Sequence, residues 1–165
     1  MLHAFHIRAA RPPDAAPLAR LLNAIIHAGG TTAMEDPFTD QAFADCFLTG
    51  SDVLSCFVAE ADTGELIGFQ AVCRYDGLPE GWGDIATFAR REPKIAGVGR
   101  ALFPSTLRAA RQRSLVAINA AIRADNAGGL AYYEKIGFVT YDRLAAVPLR
   151  DGTPVDRILK RYDLA

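Results

Sequence analysis

The chain has too few cysteines and histidines, and too little charge of one sign, for several common protein classes. Its three cysteines, Cys46, Cys56 and Cys73, cannot all pair and show no metal-ligand spacing. They therefore point to a reducing compartment rather than a disulfide framework. Each stands in an apolar context and is expected in the core. The three histidines, His3, His6 and His27, also lack ligand spacing, so no metal site is expected. Eighteen Lys and Arg stand against 19 Asp and Glu, a net charge of −1, whereas nucleic-acid backbones select strongly basic faces. No apolar run approaches the roughly 20 residues of a membrane span, and Met1-Leu2-His3-Ala4-Phe5-His6 lacks the basic-then-apolar pattern of a signal segment. The expectation is a cytoplasmic protein with neither nucleic acid nor membrane as partner.

What is present suits a folded chain. Half of the 165 residues are hydrophobic and 22% are charged, and a chain of this length buries about 70% of its unfolded surface. Repeats, low-complexity tracts and linkers are missing, so residues 1–165 are read as one domain.

The periodicities place the elements. Phe5 to Ala9 alternates as a first strand, and Pro12-Pro13-Asp14 stops it and caps a helix. Leu18, Leu21, Leu22, Ile25 and Ile26 form one face of that helix, which ends at Gly29-Gly30. A second helix from Thr39 to about Leu48 carries Phe43 and Phe47. Val53 to Glu60 and Leu66 to Tyr75 read as a hairpin around Asp62-Thr63-Gly64, and Gly68 marks a bulge or a close neighbour. A strand from Asp84 to Ala89 leads into a helix reaching about Arg113, in which Pro104 predicts a kink or an irregular first turn. Leu115 to Ala121 is a strand, and Asp125-Asn126 caps a short helix that stops at Gly137. Phe138 to Asp142 restarts as strand, and Ala146 to Leu149 pairs with Val155 to Asp163 around Asp151-Gly152-Thr153-Pro154. The order β-α-α-β-β-β-α-β-α-β-β is an α+β, or mixed α/β, fold.

Between the fourth strand and third helix lies Lys94-Ile95-Ala96-Gly97-Val98-Gly99-Arg100-Ala101. Its glycines allow a backbone to approach a ligand, and the free N–H groups of a helix start attract anions, so this turn is a candidate pyrophosphate site. A dinucleotide fold would put such glycines after the first strand, and a P-loop would end in Gly-Lys-Ser/Thr, which Gly99-Arg100-Ala101 does not.

With Asn126 and Tyr133-Glu134-Lys135-Ile136-Gly137-Phe138 downstream, this turn resembles the acetyl-CoA motif of the GNAT superfamily of N-acetyltransferases, with Lys94 standing where Gln or Arg is usual. The resemblance covers nearly the whole chain. It implies a mostly antiparallel, twisted central sheet flanked by helices, acetyl-CoA as co-substrate, a small-molecule amine acceptor and a homodimer. It further implies that the amides from Ile95 to Ala101 cradle the pyrophosphate and that Thr87, Phe88 and Ala89 pair with the pantetheine arm. Asn126 is similar to the residue that touches this arm from the other side, and it also reads as a helix cap.

By the same resemblance Tyr133 is the acid that protonates the departing thiolate, while Tyr132 reads as core. Asp84, with Glu80 just upstream, stands where many members place a base; the alternative is an exposed strand-end carboxylate. The stretch from Ile25 to Pro37 is similar to the phosphinothricin and methionine-sulfoximine acetyltransferase branch, whose acceptors are amino acids or analogues. Glu35 is then a candidate for holding an ammonium, and Arg74 and Arg90 are candidates for a carboxylate. The competing readings are a non-catalytic acyl-CoA sensor or interaction module of the same fold, and a nucleotide-binding regulator.

Overall fold

The computed structural model describes residues 4–164; His3 lies outside them. Seven strands, β1 (Phe5–Ala9), β2 (Val53–Ala61), β3 (Leu66–Cys73), β4 (Trp82–Ala89), β5 (Ala117–Arg123), β6 (Val139–Pro148) and β7 (Pro154–Asp163), form one sheet in the order β1-β2-β3-β4-β5-β7-β6. Four helices, α1 (Ala15–Ala28), α2 (Asp40–Phe47), α3 (Val98–Gln112) and α4 (Ala127–Lys135), complete the α+β fold expected from the element order. None of these is long and apolar enough to cross a membrane.

Alternation along β3 sorts the layers. Phe69 and Ala71 pack with Leu18, Ala19 and Leu22 of α1 and with Phe43 and Phe47 of α2. On the other face Val72 packs with Ile85, Phe103 and Tyr133, bringing α3 and α4 against the sheet. Gly68 is the close approach predicted for it: a Cβ there would lie 2.6 Å from Val98 Cγ1 of α3. The register irregularity falls beside it, between Ala59 and Glu60 of β2.

One pair of neighbouring strands breaks the antiparallel rule, and it positions the site. β4 and β5 run parallel and are joined only at Trp82–Ala117, Gly83–Ile118 and Asp84–Asn119. Beyond Asp84 and Asn119 the two strands part. From Ile85 to Ala89, β4 keeps β3 on one side and, among the described residues, has no strand on the other. Backbone groups on that open edge need another partner.

Four local expectations change. Phe138 to Asp142 and Ala146 to Leu149 belong to one strand, β6, broken in register rather than in chain by irregularities at Thr140/Asp142 and Leu144/Val147. Ala146 takes a φ of +52° there, which interrupts the alternation that a strand reading depends on. The α3 helix runs unbroken through Pro104, an exposed position; Pro104 has no N–H to give to the Arg100 carbonyl. Asp14 does not cap α1 with its side chain; it accepts from Arg11 N at 2.7 Å and pairs with Arg8 at 2.8 Å. Finally, Cys46 is exposed, and Cys56 and Cys73 are half-buried at the edge of the α1–α2 cluster rather than inside it.

Candidate active site

The fork between β4 and β5 opens into a cleft of about 440 Å³. Its walls are Asp84 to Ala89 of β4, Ala121 to Arg123 of β5, Asn126, Tyr132 and Tyr133 at α4, and Thr31 to Met34 of the α1–α2 loop. Sequence-predicted residues thus meet from three separated stretches.

At the upper end the glycine turn enters α3. Gly97 takes a φ of +82° as the residue before the helix, a left-handed conformation that costs a side-chain-bearing residue strain. Ala101 N reaches the Gly97 carbonyl at 2.9 Å, so the amides before it are the unpaired donors of a helix start, with the positive end of its dipole behind them. Ile95 and Val98 turn their side chains into the core with Leu102, leaving only backbone for a ligand. Lys94, Ala96 and Arg100 are exposed around the turn. Gly99 faces Tyr132, whose ring carbon Cε2 would lie 2.8 Å from an added Cβ.

A polar network closes the α3–α4 side. Gln70 of β3 is fully buried, and its Nε2 donates to Thr87 Oγ1 at 2.9 Å and to the Tyr132 hydroxyl at 3.0 Å. Tyr132 in turn donates to the Gly99 carbonyl at 2.8 Å. It is therefore not a plain core residue: its ring packs at the core edge while its hydroxyl ties α4 to the glycine turn. Tyr133 is buried against Phe138, with its hydroxyl 2.9 Å from Thr87 Oγ1. Burial pushes its phenol above the ordinary value, so it stays protonated.

At the base of the fork, Asp84 accepts from Asn119 Nδ2 at 2.7 Å. Desolvation raises its carboxyl to about 6, against the opposing pull of that hydrogen bond. A carboxylate tuned to this range is suited to taking a proton near neutral pH.

Another side of the cleft is covered by the α1–α2 loop, which three latches hold. Arg123, paired with Asp125 at 2.7 Å, donates to Thr32 O at 3.2 Å. Asn126 donates to Thr31 O at 3.1 Å while its Oδ1 caps α4 by accepting from Gly129 N at 2.9 Å. From the β6–β7 turn, Arg150 N donates to Glu35 at 2.8 Å and its guanidinium pairs with Asp36. Glu35 is thus engaged by the turn that latches its loop. Arg74 donates to Ser51 O at 3.3 Å and lies outside the residues lining the cleft. Arg90 pairs with Glu65 at 2.6 Å and lines a separate groove of about 880 Å³ along α1, which touches the cleft at Ile25 and Arg91. Gln70, Asn119 and Arg123 were not among the sequence candidates. Gln70 and Asn119 had a signal, since each is a lone amide inside an apolar strand.

Similarity to known proteins follows this geometry. The profile of the Acetyltransferase (GNAT) family matches residues 19–138. Among solved structures, an N-acetyltransferase from Staphylococcus aureus Mu50 superposes with a TM-score of 0.86 at 18% identity, covering 98% of this chain and 99% of that one. A GNAT superfamily phosphinothricin acetyltransferase from Sinorhizobium meliloti, solved in complex with AcCoA, gives 0.84 at 16% identity, covering 100% and 90%. A GCN5-related N-acetyltransferase from Kribbella flavida gives 0.81 at 21% identity, covering 98% of both chains. No curated protein sequence matches. Identities this low show a shared fold, and the family profile covers most of the chain. With the fork, the glycine turn and the Asn126-to-Phe138 motif in place, the chain belongs to the GNAT acetyltransferase family, whose co-substrate is acetyl-CoA.

Proposed function

We propose that residues 1–165 act as one acetyl-CoA-dependent N-acetyltransferase domain on the primary amine of a small acceptor, an amino acid or an analogue such as phosphinothricin or methionine sulfoximine. The observation that carries this reading is the fork: an open β4 edge, the free amides of a helix start, a buried phenol and a carboxylate all line one cleft or its rim. The open edge from Ile85 to Ala89 suits the amide-bearing pantetheine arm, with Thr87, Phe88 and Ala89 as its strand partner. The amides from Ile95 to Arg100 suit the pyrophosphate, that of Ala101, expected among them, being given to the Gly97 carbonyl, and exposed Lys94 adds a cation beside them. Asn126 caps α4 on the facing wall.

The chemistry then follows. The acceptor nitrogen, deprotonated by Asp84, attacks the thioester carbonyl carbon and a C–N bond forms. As the tetrahedral adduct collapses the C–S bond breaks, and Tyr133 gives its proton to the departing thiolate. Holding amine and thioester together supplies much of the acceleration. Glu35 keeps its charge, since its partner is the neutral backbone N–H of Arg150, whereas Arg90 is paired with Glu65. The exposed Val139 and Leu144 on the β6 edge favour the homodimer, which light scattering tests.

A CoA-release screen over an amine panel, including L-phosphinothricin and L-methionine sulfoximine, tests the function. Release with at least one amine, lost in Asp84→Asn, supports it. Stabilisation by acetyl-CoA with no turnover of any amine would favour the sensor reading. Stabilisation by ATP alone would remove acetyl-CoA from the account.

A further inference from the structure

The cleft's base carries a feature that the acetyl-transfer reading does not use. Asn119 of β5 is 4% exposed, so both halves of its amide need partners. Its Nδ2 donates to Asp84 Oδ1 at 2.7 Å, and its Oδ1 accepts from the Tyr141 hydroxyl of β6 at 2.5 Å. The direction of this chain follows from chemistry. An ionised carboxylate only accepts, so the amide must turn its NH₂ to Asp84 and its carbonyl to Tyr141, which must then donate. The Tyr141 ring is held edge-on by Trp82, with centroids 5.6 Å apart and an interplanar angle of 71°. Asp84 and Asn119 are also the last register pair before β4 and β5 part.

We propose that Asn119 and Tyr141 are positioning residues for Asp84: the phenol fixes the amide, and the amide takes one carboxylate oxygen, so that Oδ2 alone is offered to the cleft. Oδ2 has no hydrogen-bond partner among the described residues, and Asp84 lines the cleft. The inference rests on the reading of Asp84 as the base. It adds that the basicity and aim of Asp84 are set from β5 and β6, across the fork. The titratable groups facing Asp84 from other elements are Cys73 of β3, Tyr133 of α4 and Tyr141. All three are pushed upward and are neutral near pH 6, and no cation among the described residues acts on the carboxylate. The amide is therefore the main group holding the charged form.

The test is a carbon-detected NMR titration of the full chain with ¹³C-labelled aspartate carboxyls, assigned by Asp84→Asn. It compares the parent with Asn119→Leu, which keeps the volume, and with Tyr141→Phe, which removes only the hydroxyl of a residue that is 38% exposed. Losing a donor to the charged form raises a carboxyl midpoint, by about one pH unit for Asn119→Leu and by less for Tyr141→Phe. A midpoint that moves up in both variants supports the relay from Tyr141 to Asp84. A midpoint that stays put in Tyr141→Phe overturns it, as does one unmoved in Asn119→Leu. No acceptor is needed, so the outcome is separate from the base assignment, which fails instead if Asp84→Asn keeps its full rate of CoA release.

Discussion

Replacing Asp84 by Asn should make the protein more stable and less active, with a pH dependence that identifies the cause. The carboxyl titrates near 6 in the folded chain against 3.8 for an unperturbed one. Above pH 6 the folded state must carry a charge that burial disfavours, at a cost of about 3 kcal/mol by linkage. As pH falls through 6 the folded protein takes up its proton before the unfolded chain does, so this cost fades, to about half at pH 5 and under about 1 kcal/mol at pH 4. The amide of the variant has no charge to lose and can still accept from Asn119 Nδ2. The variant should therefore melt about 5–10 °C above the parent at pH 7, with the two curves converging towards pH 4. Thermal melts of both proteins at half-unit steps between pH 4 and 8 measure this. The same substitution should lower CoA release about 10²-fold or more. A variant that melts below the parent at pH 7, or a gap that does not change with pH, would refute the burial of charge at the fork.

Three further outcomes are expected. Tyr133→Phe should lower kcat about 10²-fold while calorimetry finds acetyl-CoA affinity nearly unchanged, and loss of the bond to Thr87 should cost about 1 kcal/mol of stability. Gly99→Ala places a methyl 2.8 Å from the Tyr132 ring and should destabilise the fold by about 1–3 kcal/mol; adding Tyr132→Leu should recover part of that loss in a double-mutant cycle. Arg150→Ala removes the guanidinium pair with Asp36 and keeps the Arg150 N–H bond to Glu35, so the loop loses one of its side-chain latches and acceptor KM should rise more than kcat falls, while the melting temperature barely moves because the pair is exposed.

Which of these features could be read from residues alone depends on how local their causes are. The α1 stripe from Leu18 to Ile26 and the glycines that enter α3 are set by neighbours within a turn or two, and both were legible. β6 was not legible as one strand, because Ala146 at positive φ and two register shifts break the period of two that signals a strand. The site divides in the same way. Tyr133 and Asn126 could be picked out because they sit in a contiguous motif. Asn119 showed only as a lone amide in an apolar stretch and its role was hidden, since its partner Asp84 lies 35 residues away and Tyr141 stands on β6, beyond β7. Arg74 looked available as a charge at a strand end, yet it follows Cys73, the register partner of Asp84, and so falls below the fork while the cleft opens above it.

The fork itself joins the two levels. β5 reads Ala117-Ile118-Asn119-Ala120-Ala121-Ile122-Arg123, apolar except at the position that faces Asp84 and at its last residue. The parallel ladder runs through apolar or small neighbours and ends at this polar pair. The carboxylate proposed as base, the amide that holds it and the point where β4 loses its partner strand are therefore one structural feature. A substitution at Asn119 is expected to act on the shape of the cleft and on the basicity of Asp84 together, whereas Tyr141→Phe reaches the basicity through the amide and leaves the strand register alone. Comparing the two separates the role of this pair in the fold from its role in the reaction.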